Sequence, residues 1–410
     1  MFSIVLSYCS TIILSQSSVI LVIIISLFVY YVTKNNDYFE KRGVVYIKPN
    51  FFLGSLAPAI LKKKTFMEVY TDIIKKYPNH GFIGIFDFLK PLYILKDPDL
   101  IKQVCVKDGD NFLDHRFTID AEVEPIVGRN LFAIKGQKWR EMRHILTPAF
   151  TSSKMKFMFE LIRECTERTI LHINSHLTEK NEFNFETVDF FSRFANDIIA
   201  TTAFGLETNS MENRENEFYK HGRIISCLAT VIFTIKFIIA NTLPWIIKTF
   251  RINILDKYSV EYFRNIMVKT MHEREKSDIK RPDLIHLLLQ AKHKGKILEE
   301  HETEEVFEKC AKSIDWTEND FLAQCLLFYM AGFETSSTTM TFMAYELAIN
   351  PDIQQRLFQV ISELWNNCQN SPNYEEINKL KYLDMVLSET LRKWTPVTGV
   401  DRVCNSTYER

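Results

Sequence analysis

No C-x-x-C pair and no zinc-type spacing occurs among the eight cysteines. Cys9, Cys105, Cys165, Cys227, Cys310, Cys325, Cys368 and Cys404 stand singly, which fits a reducing compartment and mostly buried thiols. Charge of one sign is also missing. Fifty basic and 51 acidic residues leave a net charge of −1, so nothing points to a nucleic-acid partner. No internal repeat is present, which sets aside solenoid and propeller arrays. Strand-type patterns almost vanish after the first hundred residues. What the 410-residue chain has instead is apolar bulk: 46% hydrophobic residues and 32 phenylalanines. Those phenylalanines would fit an apolar aromatic pocket, but a compositional bias that also enriches Ile, Lys and Asn is the favoured account.

Residues 12–32 form an uncharged, largely apolar run of about the 20 residues that span a bilayer. No Lys or Arg precedes it, whereas Lys34, Lys41 and Arg42 follow. A cleaved signal peptide would show a basic start, a shorter apolar core and a small-residue cleavage site. The run therefore reads as an uncleaved anchor (residues 1–33), with the body of the protein in the cytosol by the positive-inside rule. The sequon Asn405-Ser406-Thr407 would then stay unmodified. A linker follows to residue 58, and residues 59–410 read as one further domain.

Residues 65–77 have helical periodicity and stop at Pro78. Residues 81–86 and 92–95, split by Lys90-Pro91, suggest a β-hairpin. Asp97-Pro98 opens a helix. Helical patterns then cover 137–146, 153–177, 188–204, 253–276, 282–292, 317–349, 351–366 and 374–394. Residues 227–250 are very apolar and interrupted by Lys236 and Pro244; they could be a second span or a surface-lying segment. Residues 292–312 are charged and read as a solvated loop.

The most informative stretch is residues 321–350, FLAQCLLFYMAGFETSSTTMTFMAYELAIN. Thr317 and Asp320 form a capping-box variant, and Asn350-Pro351 closes the helix. A helix so apolar all round is buried or membrane-spanning. Its middle, Ala331 to Thr339, is polar and contains Gly332, which costs about 1 kcal/mol against alanine. Thr335 can return its hydroxyl to the Ala331 carbonyl and locally open the helix. Gly332 would leave room beside it for a flat group or a small gas molecule. Glu334 next to Thr335, a buried acid beside an alcohol, would make a proton-delivery pair. The bland alternative is a buried helix that tolerates polar residues, or a membrane helix with a small-residue face.

This A-G-F-E-T stretch resembles the A/G-G-x-E/D-T signature of the cytochrome P450 superfamily, the haem-thiolate monooxygenases. Other motifs follow the same order. Trp139 and Arg143 lie four apart on one helix face, where an indole donor and a guanidinium suit a dianion such as the haem propionates, or simply pack. W-R-x-x-R resembles the family's propionate motif. Glu389 and Arg392 can pair on a helix and resemble its E-x-x-R pair, which the resemblance places in a buried supporting network. Arg402 matches a basic position that reaches a propionate, and His115-Arg116 could contribute to substrate or propionate contacts. Lys135, Lys138 and Arg140 make a basic face suited to an acidic electron donor, or to solubility alone. The details look most like an insect microsomal member of the xenobiotic-metabolising type.

The resemblance implies a mainly α fold, with a small β region, behind an N-terminal transmembrane anchor. It implies haem as cofactor, an NADPH-cytochrome reductase as donor, an apolar substrate, and residence in the endoplasmic reticulum membrane. It gives residues 227–250 the role of a pocket cap that dips into the membrane surface. Thr335 and Glu334 would deliver protons, and Gly332 and Ala331 would line the oxygen side. The family's F-x-x-G-x-R-x-C-x-G thiolate loop is not found in these 410 residues. Cys404 follows Arg402 by two, but Val397 stands in place of the phenylalanine, Gly399 is one position early, and Ser406 replaces the second glycine. The expectation is therefore a C-terminally incomplete member with no metal ligand of its own. Its function is either the monooxygenase's, in the complete protein, or that of an inactive anchored remnant that binds apolar ligands or a partner.

Overall fold

A computed structural model describes residues 19–116, 119–227, 230–277, 281–293, 304–369, 371–397 and 399–408. The chain divides into two units between Phe112 and Leu113.

The first unit holds α1 (Val19–Thr33), α2 (Ala57–Ile60), α3 (Phe66–Lys76), β1 (Phe82–Asp87), β2 (Lys90–Leu95) and α4 (Pro98–Lys102). α1 is apolar, and most of its large side chains are exposed. It is the described part of the expected anchor; residues 12–18 lie outside the described residues. Among the described residues no single helix is long and apolar enough to cross a membrane. α3 begins with a reciprocal capping box between Thr65 and Glu68. Its Val69 and Ile73 pack with Ile83 and Ile85 of β1. The hairpin is antiparallel, with Phe82 opposite Leu95. Lys90 and Pro91 do not split it. Both lie inside β2, opposite Asp87 and Phe86. A proline is tolerated there because β2 has a free edge in a two-stranded sheet.

The second unit is helical. It contains α5 (Gly136–Leu146), α6 (Ser152–Ser175), α7 (Thr187–Phe204), α8 (Glu217–Ser226), α9 (Val231–Thr242), α10 (Pro244–Phe250), α11 (Lys257–Ser277), α12 (Leu284–Lys292), α13 (Glu304–Ser313), α14 (Glu318–Ile349), α15 (Pro351–Asn367), α16 (Tyr374–Asn378) and α17 (Lys381–Lys393). Mainly α with a small β region is thus the observed class. α14 is its axis, opened by the Thr317–Asp320 capping box. Phe321, Leu322, Leu326, Tyr329 and Phe333 bury against α5, α7, α8, α11 and α12. Full burial of each such side chain contributes about 1.5–3 kcal/mol.

Two polar devices fix this packing. Tyr329 donates to Asn196 Oδ1 of α7 at 2.9 Å, and Asn196 donates to Asp197 Oδ1 at 3.0 Å. Gly222 of α8 sits directly over Tyr329, whose hydroxyl oxygen would lie 1.7 Å from a β-carbon at that position. The second device is the buried Arg274 guanidinium, which binds both oxygens of Asp283 at 2.6 and 2.8 Å and the Phe204 carbonyl at 3.0 Å.

Two further expectations need correction. Within the charged stretch, residues 304–313 are a helix rather than a loop; residues 294–303 lie outside the described residues. Phe307, Cys310 and Ala311 are buried against Ile145, Ala149, Leu287 and Ala291, and the surrounding charges mask that one-sided apolar spacing. Residues 374–394 are two helices, α16 and α17, because Leu380 leaves the helical region, with φ −71° and ψ 83°. Helix α8 was not anticipated. The apolar stretch 227–250 breaks before Pro244 into α9 and α10, and α8 and the residues up to Ala240 meet at a 55° bend.

Candidate functional site

The Ala331–Thr335 segment lies inside an unbroken helix. Three hydroxyls in and just after it turn back on the backbone: Thr335 to the Ala331 carbonyl at 2.5 Å, Ser337 to Glu334 at 3.1 Å, and Thr339 to Thr335 at 2.9 Å. The expected Thr335–Ala331 bond is therefore present, but it does not open the helix. Ala331 and Glu334 are exposed on this face, while Phe333 is buried on the opposite one.

Glu334 is not the buried acid that the sequence suggested. It reaches solvent, and among the described residues no hydrogen bond holds its carboxylate. The protein that flanks it on one side still pushes its carboxyl above the ordinary range by desolvation, with Arg223 of α8 pulling the other way. Gly332 has a packing explanation. A β-carbon there would lie 2.8 Å from Ile199 Cδ1 of α7, so Ile199 fills the space expected for a flat group or a gas molecule.

α5 presents Met142, Ile145 and Leu146 inward. Trp139 and Arg143 lie on its other side, Arg143 exposed and Trp139 half-buried. Among the described residues neither the Trp139 indole N–H nor the Arg143 guanidinium has a protein partner, so each can donate to an anion. Lys135 and Lys138 are exposed nearby on the same helix and its approach, and Arg140 is half-buried.

The start of α5 is fixed from a distance. Gly136 N donates to Asp114 Oδ1 at 2.7 Å, and Val403 N donates to the Asp114 carbonyl at 2.8 Å. His115 Nδ1 lies 3.2 Å from Asp401 Oδ1, and Arg116 N donates to Asp401 Oδ2. Burial opposes ionisation of Asp401, but His115 and the Arg116 N–H hold its carboxyl below the ordinary range. These contacts bring the Arg402 segment to the α5 segment. Arg402 itself donates to the Asp401 carbonyl, at 2.7 Å. The His115 ring stacks on Phe132 at 4.8 Å. Sequence reading named His115, Arg116 and Arg402 but missed Asp114 and Asp401, which do the joining. No local signal marks an acid 22 residues from the helix it caps.

Glu389 and Arg392 pair through two bonds of 2.7 Å. Both side chains are more than half exposed, so the expected buried network is not seen among the described residues. α17 is instead docked by its end. Trp394 Nε1 and Lys393 Nζ each reach Glu346 of α14 at 2.6 Å, and the Trp394 ring stacks on Phe342 at 4.4 Å.

For haem, the donor set suits the propionate side: an indole N–H and a guanidinium lie on one side of α5. It does not fit on the iron side. Cys404 is exposed and its thiol donates to the Ser406 carbonyl at 3.0 Å; Cys325 is buried with its proton affinity pushed up by desolvation. Among the described residues no cluster of His, Cys, Asp and Glu could hold a metal ion.

Residues 47–409 match the family model described as Cytochrome P450. Cytochrome P450 9e2 of Blattella germanica is 39% identical over 391 residues, covering 92% of this chain and 72% of that protein. Probable cytochrome P450 9f2 of Drosophila melanogaster is 36% identical over 388 residues, covering 93% and 73%. Cytochrome P450 6j1 of Blattella germanica is 34% identical over 404 residues, covering 97% and 75%.

Proposed function

Because the chain belongs to the cytochrome P450 family, we propose that it is the body of a membrane-anchored haem monooxygenase of the insect, xenobiotic-metabolising kind. The reaction would insert one oxygen atom from O2 into an apolar small molecule, with electrons from an NADPH-cytochrome reductase. Haem, when held, supplies oxygen activation. The residues of this chain do the rest. Trp139 and Arg143, with Arg402, bind and orient the propionates. Thr335 and Glu334, on the exposed face of α14, hold and move a proton, and a carboxyl with raised proton affinity suits that work. Ala331 lines the same face.

Val231, Ile232, Ile235, Leu243, Trp245 and Phe250 leave an exposed apolar surface on α9 and α10. That surface fits a cap resting in a membrane interface. With α1 as part of an anchor, it favours the endoplasmic reticulum membrane with the body facing cytosol. Lys135, Lys138 and Arg140 would offer the reductase a basic face.

One observation carries this reading: the two unpartnered donors, Trp139 and Arg143, on one face of α5. Haemin titration of the purified chain tests it. Arg143→Ala should weaken haemin binding about tenfold or more, the loss of a charge-assisted hydrogen bond. The same variant should leave the dimethyl ester of haemin unaffected. Equal affinity of wild type and variant for haemin would overturn the propionate assignment.

A further inference from the structure

The cap formed by α9 and α10 has a small core of its own. Ala240 and Ile247 bury with Ile254 and with Ile119, and this cluster shares no residue with the large core around α14. Ile119 belongs to the segment 119–129, which runs between the two. At its far end that segment is fastened to α14. Gln324, fully buried, donates to the Arg129 carbonyl at 2.8 Å and accepts from Leu131 N at 3.0 Å. Arg129 Nε also lies 3.5 Å from Asp320.

At the cap end the polar contacts are few. Lys248 pairs with Glu122 at 2.5 Å, but both side chains are well exposed, and such pairs contribute about 0–1 kcal/mol. Lys236 Nζ reaches the Asn253 carbonyl at 2.8 Å, within the cap's own chain. A further contact is different in kind. Glu124 is only 6% exposed and accepts the Ile254 N–H at 3.0 Å. The Ile126 and Leu255 N–H groups also serve this carboxyl, and Lys236 attracts it, while burial opposes its ionisation and prevails. A buried acceptor that loses its partner leaves those N–H groups unsatisfied, which costs far more than an exposed pair.

We propose that Glu124 is a positioning residue: it pins the cap to segment 119–129 and so sets how readily the cap lifts. Its bearing on substrate entry rests on the reading of Ala331–Thr335 as the reacting face; the pin itself does not. Segment 119–129 thus ties the cap to α14, held by Gln324 at one end and by Glu124 at the other.

Hydrogen exchange of the 410-residue chain in detergent micelles, followed by peptide mass, tests this. Glu124→Ala should raise exchange in residues 231–255 by about tenfold or more, while residues 187–204 and 321–333 stay unchanged. Glu124→Gln keeps an acceptor oxygen and should hold exchange within about threefold of wild type. Lys248→Ala should change it less than about twofold. Unchanged exchange in Glu124→Ala would overturn the proposal. So would an equal rise in all three regions, which is general loosening, or a Gln variant as mobile as the Ala variant. None of these readouts depends on haem, so they stand or fall apart from the haemin titration.

Discussion

The two halves of α14 differ more than their sequences do. From Phe321 to Leu326 every side chain is at most 1% exposed, and Tyr329 and Phe333 are at most 2%. From Ala331 onward the helix is half open: Glu334, Ser336, Tyr345 and Ile349 are exposed. The polar run Ala331 to Thr339 opens the second half, but Phe342 to Ile349 is again mostly apolar. The difference comes from what lies alongside. The first half is enclosed by α7, α8, α11 and α12. The second is met by α17 through Trp394 and Lys393 at Glu346. The Ala331–Thr335 motif sits at the boundary, held rigidly on one face and accessible on the other. That is what a site on a helix requires: neighbours that lock the backbone, and a side on which something else can arrive.

Truncation of equivalent side chains should break the comparison if it is wrong. Leu326→Ala removes a fully enclosed side chain and should cost about 2–5 kcal/mol of stability. Ile349→Ala, at a residue 54% exposed, should stay within about 0.5 kcal/mol. Urea midpoints of the two variants read the contrast directly, and similar losses would mean that the second half is covered in solution. A polar version is smaller. Gln324→Ala leaves the Leu131 N–H and the Arg129 carbonyl without partners inside the protein and should cost about 1–3 kcal/mol. Gln324→Glu sharpens it, since the carboxylate keeps the acceptor for Leu131 but loses the donor to Arg129.

Much of this was legible in the sequence. The Thr317–Asp320 box, the Asn350-Pro351 stop and the Thr335–Ala331 bond follow from local chemistry, and each is observed. Trp139 and Arg143 share a face because four residues make about one turn. What was not legible depends on distant residues. Whether Glu334 is buried depends on the elements beside α14. The space beside Gly332 is settled by Ile199, 133 positions earlier in the chain. The Glu389–Arg392 pair forms from spacing alone, yet its exposure depends on the surroundings. α13 was hidden because Phe307, Cys310 and Ala311 are few among charges, and only their shared face reveals a helix.

The finest test sets two glutamates of α14 against each other. Desolvation raises the Glu334 carboxyl above its ordinary 4.5. Folding therefore favours its protonated form. That contribution is fully present below about pH 4.5. It is lost as pH rises through the folded value. Glu346 is the reverse. Hydrogen bonds from Lys393 and Trp394 hold its carboxyl below 4.5, so its contribution is present at neutral pH and lost as pH falls through the folded value. Glu334→Gln should therefore gain stability relative to wild type as pH is raised from 4.5 to 7. Glu346→Gln should be less stable than wild type at pH 7 and approach it in acid. Both effects are small, because both groups meet solvent, but their signs are opposite. Urea midpoints measured across that pH range for the two variants would show it. Parallel curves would mean that the two glutamates experience the same surroundings, and that the boundary at Ala331–Thr335 is not where α14 leaves its packing.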